Sequence, residues 1–69
     1  MTRTKEQILG TIDEYMHYAL QEEEIMLKCG PGDPYLRIAK INVDYYLACA
    51  AALERGETHL EVHHKDRFK

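Results

Sequence analysis

The chain has little of what small proteins use to brace themselves covalently. It carries two cysteines in 69 residues, Cys29 and Cys49. That is too few for a secreted disulfide framework. Positive charge is also scarce: nine Lys and Arg face twelve Asp and Glu, leaving a net charge of −3. Broad nucleic-acid binding rests on a basic face, so it is not expected. No apolar run approaches the roughly 20 residues that span a bilayer. The first residues lack the apolar core of a signal peptide. There is no internal repeat and no low-complexity segment. These absences point to a soluble cytoplasmic protein with no membrane partner.

What is present is helical. The stretch PYLRIAKINVDYYLACAAALER (34–55) has a start signal, a stop signal and a long apolar run between them. Asp33 suits the N-cap, and Pro34 the first helical position, where its missing N–H would have no partner anyway. Gly56 ends the run as the residue after the C-cap. Around this second helix, Tyr35, Ile38, Ile41, Tyr45, Tyr46, Cys49, Ala52 and Leu53 share one side, flanked by Leu36, Val43, Leu47 and Ala50. The apolar arc is about 200° wide, roughly twice the usual stripe of a surface helix. One neighbouring helix cannot cover it.

A first helix is predicted over 5–28. Thr4 and Gln7 fit a capping box. Ile8, Leu9, Ile12, Met16, Ala19, Leu20, Met26 and Leu27 gather on one stripe at 100° per residue. Gly10 falls on the polar side, Lys28 suits the dipole at the C-terminal end, and Gly30 with Pro31 stops the helix. The linker GPGDP is short enough to make the two helices antiparallel neighbours. In such a hairpin the two cysteines lie roughly 25 Å apart at the helical rise, so both are expected as thiols, Cys49 as a small core residue.

The fold expected is therefore all-α: one domain, 1–69, made of an antiparallel hairpin with a short tail over 57–69. For that tail, Thr58 with Glu61 suggests a short helix, while the alternation from His59 to His63 suits a strand equally well. The preferred reading is a short helix or an ordered extension. A chain of this length buries only about 60% of its unfolded surface, so a second copy is a natural source of stability. The expected assembly is a homodimer forming a four-helix bundle, with Tyr35, Ile38, Asn42, Tyr45, Tyr46, Cys49 and Leu53 at the interface. Tyrosines suit such a surface, because they combine apolar area with a polar tip.

Three groups of residues have chemical potential. The string LEVHHKD (60–66) resembles the opening of the HNH nuclease motif, whose His pair supplies a general base and begins a metal site. The motif then needs an Asn and a further His downstream, which this sequence does not have. His59 and His63 would stand one turn apart on a helix, as zinc ligands often do. Two ligands are too few for zinc, and although His64, Cys49 or a second subunit could complete a set, nothing in the sequence requires one, so the preferred reading is a solvated tail with no cofactor. A metal-binding protein or metal-dependent enzyme using these histidines is the alternative to a non-enzymatic protein. A basic tip of Lys65, Arg67 and Lys69 would give only weak, salt-sensitive contact with nucleic acid.

Glu23 falls near the centre of the first helix's apolar stripe, where folding the hairpin sets it beside Arg37 and Lys40. An ion pair is expected there. His17, Tyr18 and Gln21 come opposite Asn42, Tyr45 and Tyr46 as a polar and aromatic belt. Asn42 in that seam would fix register or oligomeric state. No complete catalytic set emerges. The function expected is that of an adaptor, regulator or inhibitor, of the phage or mobile-element type by analogy, acting on itself and on another protein.

Overall fold

The computed structural model describes residues 3–63. The element order is β1 (Arg3–Gln7), α1 (Ile12–Lys28), α2 (Tyr35–Glu54) and β2 (His59–His63). The helical hairpin is as expected, and the chain is mostly helical. It is not all-α: β1 and β2 pair antiparallel into a two-stranded sheet. No helix among the described residues is long and apolar enough to cross a membrane.

α2 forms where its end signals place it. The Asp33 carboxylate accepts from the Tyr35 N–H at 2.9 Å, and the Leu36 N–H donates to the Asp33 carbonyl at 3.1 Å. At the other end Gly56 takes φ +81°. The Gly56 N–H reaches the Leu53 carbonyl at 3.0 Å, and that of Glu57 the Ala52 carbonyl at 2.9 Å. This pair of bonds is a Schellman closure, and only a residue tolerant of the left-handed region completes it without strain.

α1 begins later than predicted. Its capping box is Thr11 with Glu14, not Thr4 with Gln7. The Glu14 N–H donates to Thr11 Oγ1 at 3.2 Å, and the Thr11 N–H to Glu14 Oε1 at 3.1 Å. Gly10 is not in a helix. It lies just before the cap, where a Cβ would stand 3.0 Å from Cε2 of Tyr15. Its missing side chain makes room for that ring. Nor does Gly30 close α1 in the left-handed region; Cys29 turns extended instead (ψ 144°), its N–H shared by the carbonyls of Ile25 and Met26. Pro31 and Gly32 then sit at the centre of a turn closed by the Asp33 N–H on the Gly30 carbonyl at 3.0 Å.

The remaining N-terminal residues form β1. Arg3 pairs with His63, Thr4 with Val62, Lys5 with Glu61, Glu6 with Leu60, and Gln7 with His59. The Ile8 N–H extends the ladder to the Thr58 carbonyl at 2.8 Å. Of the readings open for the tail, the short helix does not form: the alternation from His59 to His63 is a strand. An isolated two-stranded ribbon is marginal in water and needs something to pack on. Here it is α2. Ile8 and Tyr15 are buried with Cys49, Ala50 and Ala52, and Ile12, Tyr45, Tyr46, Leu53 and Leu60 pack around them.

Ala19, Ala39 and Val43 are the other buried apolar residues. Among the described residues, half of the eight buried ones are alanine, and the largest fully buried side chain is Cys49. The wide apolar arc of α2 thus receives two covers from its own chain, α1 and the sheet.

Candidate functional site

The residues singled out by the sequence separate into three places. His59 and His63 no longer share a helical turn. Four residues apart on a strand they stand about 13 Å from one another, so they cannot chelate one ion. His59 Nδ1 lies 3.0 Å from the Thr58 hydroxyl, and the buried Nδ1 of His63 has no hydrogen-bond partner among the described residues. No group of three or more His, Cys, Asp or Glu that could hold a metal occurs among those residues. His64, the end of the HNH-like string and the basic tip at Lys65, Arg67 and Lys69 fall outside the described residues.

The aromatic belt is present and larger than expected. Tyr18 and Tyr46 have ring centroids 5.5 Å apart, and Tyr45 meets Tyr46 at 5.8 Å. Tyr46 is the ring that meets all the others, and the buried member is Tyr15, which sequence reasoning missed. It contacts Tyr18 edge-on at 6.2 Å and Tyr46 at 6.1 Å. His17 bonds Gln21 one turn on, at 3.0 Å between their side-chain nitrogens. The belt is packing, and no carboxylate among the described residues bonds His17 to make it a base.

The acidic run also divides differently. Glu23 is exposed and makes no ion pair with Arg37 or Lys40, both exposed as well. The expected pair is absent because the inward face of α1 is turned by about one residue. That face runs Ile12, Tyr15, Ala19, Glu22, Met26. Glu22 is the half-buried acid, and the Tyr35 hydroxyl donates to its two oxygens at 3.1 and 3.3 Å. The bond pins the start of α2 to the end of α1.

The same bond carries a pH prediction. The Tyr35 pKa is raised above its ordinary 10.0, first by the hydrogen bond to Glu22, then by burial and by the Glu22 charge. A folded-state pKa above the unfolded value means this stabilisation is complete below pH 10 and lost as pH rises through the raised value. Tyr35→Phe is expected to cost about 1 kcal/mol at neutral pH. In urea titrations the gap between wild type and variant should close in strongly alkaline buffer. A gap that persists there would show the hydroxyl to be unimportant.

Two surfaces remain open. On α2, Tyr35, Ile38 and Asn42 from the expected interface are half-buried, as is Ile41. The other expected interface residues are spoken for within the chain: Tyr45, Tyr46 and Leu53 pack on the core, and Cys49 is 0% exposed. On α1, three residues predicted for the core face solvent instead: Met16 at 44%, Leu20 at 58% and Leu27 at 87% exposure. Leu9, just before the helix, is exposed too. Met16, Leu20, Glu23 and Leu27 recur at spacings of four, three and four, so they form one row along the helix.

The molecule measures 37 × 30 × 15 Å by its principal axes. No family model, curated protein or solved structure shows a significant match to this chain.

Proposed function

We propose that this chain is a non-enzymatic interaction module, a cytoplasmic homodimer that acts by binding another protein. One observation carries the reading: no leucine or methionine among the described residues is buried. The core is built from alanines, Cys49, Val43, Ile8 and Tyr15, with Ile12, Leu53 and Leu60 half-buried around it, while Leu9, Met16, Leu20 and Leu27 are exposed. A monomer that leaves these large apolar residues outward has surface suited to a macromolecular partner. Nothing among the described residues assembles a catalytic set.

The open half of α2 is the better place for a second copy. Arg37 and Lys40 balance Asp44 and Glu54, so this helix has no net charge to repel itself. Ile38 and Ile41 supply apolar area, and Asn42 supplies a polar group able to fix the register of a helix pair. Cys49, beneath the sheet, drops out of the proposed contact.

Light scattering on eluting protein tests this. At micromolar concentration the mass should be twice the 8.1 kDa of one chain, and Ile38→Asp should return it to one chain with its far-UV spectrum unchanged. A compact wild-type monomer at that concentration would remove the dimer.

A further inference from the structure

We infer that the Met16–Leu20–Glu23–Leu27 row of α1 docks a basic amphipathic helix from a partner protein. This rests on the reading of the chain as an interaction module and assigns that module a second face, apart from the dimer contact on α2.

The spacing is the first reason. Intervals of four, three and four are those of a seam that receives another helix at a shallow crossing angle. The row runs over twelve residues, about 16 Å of helix and some three turns. All three of its apolar members are exposed, and a helix laid in a groove is read through anchors at this spacing.

Charge selects the occupant. α1 carries Asp13, Glu14, Glu22, Glu23 and Glu24 against Lys28 alone, a net −4. Glu23 sits inside the row, with Asp13 and Glu24 beside its axis. All three are exposed, and none has an ion-pair or hydrogen-bond partner among the described residues. A second copy packed antiparallel on this row would set Glu23 against the partner copy's apolar seam and −4 against −4. A neutral helix would leave Glu23 desolvated without compensation. An anionic lipid surface would repel the same charges. A helix with Leu, Ile or Met on one stripe and Lys or Arg along its edges satisfies both the row and the acids, because long basic side chains cover apolar surface while their heads reach the carboxylates.

The test uses two synthetic helical peptides with leucine at heptad a and d positions, one with lysine at e and g, the other with glutamate there. Binding to the full chain is read by fluorescence anisotropy. The lysine peptide should bind at least about tenfold more tightly than the glutamate peptide and weaken as salt is raised. Leu20→Asp, at a position already 58% exposed, should abolish binding with an unchanged far-UV spectrum. Glu23→Lys should weaken the lysine peptide and strengthen the glutamate one. Ile38→Asp should leave peptide binding intact, which separates this surface from the dimer contact.

Equal binding of both peptides would overturn the proposal, as would indifference to Leu20→Asp. So would a fall in the wild-type mass on Leu20→Asp, since the row would then belong to a second copy.

Discussion

Tyr15→Ala should remove about 3 kcal/mol or more of folding stability, the cost of deleting a large buried ring. A domain of this length has roughly 3–10 kcal/mol in total at 0.05–0.15 kcal/mol per residue, so the loss amounts to between about a third and nearly all of the stability. Tyr15 is the largest of the buried side chains. It touches Tyr18 and Tyr46, fills the space that Gly10 leaves, and belongs to the cluster that joins α1 to Cys49, Ala50 and Ala52. The surrounding alanines are too short to move into the void, so the site relaxes little. Urea unfolding followed at a helix-sensitive wavelength measures the loss. A cost below about 1 kcal/mol would mean that the ring is packed less closely than its burial indicates.

Ala52→Leu should have the next largest effect, about 1–3 kcal/mol from overpacking, and it should act locally. The residue is 0% exposed and lies in the cluster that includes Ile8 and Leu60 from the sheet side. The run Ala48-Cys49-Ala50-Ala51-Ala52 keeps this end of α2 slim, which lets a narrow ribbon with few apolar residues approach closely. A leucine pushes the ribbon away. Hydrogen exchange separates this from general destabilisation: ladder amides between β1 and β2 should lose protection while those of Ile41 to Tyr45 in α2 keep theirs. Uniform loss across both elements would show that the sheet does not depend on close approach at Ala52.

The reach of the sequence differs sharply between the two halves of the chain. α2 was legible because every signal for it is local and they agree: Asp33 and Pro34 open it, Gly56 closes it, and the apolar run lies between. α1 was legible in its body but not at its start. Two capping boxes compete, Thr4 with Gln7 and Thr11 with Glu14, and what decides between them lies far away in the chain. Residues Arg3 to Gln7 contain no apolar side chain at all. Their inward members are Thr4 and Glu6, the latter accepting a long 3.5 Å contact from the Tyr45 hydroxyl. A strand that buries polar residues leaves no period-2 signal in hydrophobicity.

The misread start also turned the face of α1. Counting Ile8 and Leu9 as helical drew the apparent stripe towards Met16, Leu20 and Leu27, and so to Glu23 as the acid near the core. The true inward row passes through Tyr15, Ala19 and Glu22. One slip thus accounts for the missed tyrosine, the missing Glu23 ion pair and the misplaced leucines. Those leucines suit a core by their spacing, but no helix among the described residues covers them.

The pairing of β1 with β2 also has a consequence for how the protein is made. Partners in the ladder are separated by 52 to 60 residues, so the strands cannot meet early. Helix hairpins form from near neighbours and form fast, whereas contacts this distant bear the entropy of closing a long loop. During synthesis β1 emerges first and waits for β2 until residue 63 has cleared the ribosome. Over that interval the hairpin stands without its ribbon, and the Cys49–Leu53 end of α2 is bare on one side. A nascent chain halted before His59 would show that bare side as long as the halt lasts.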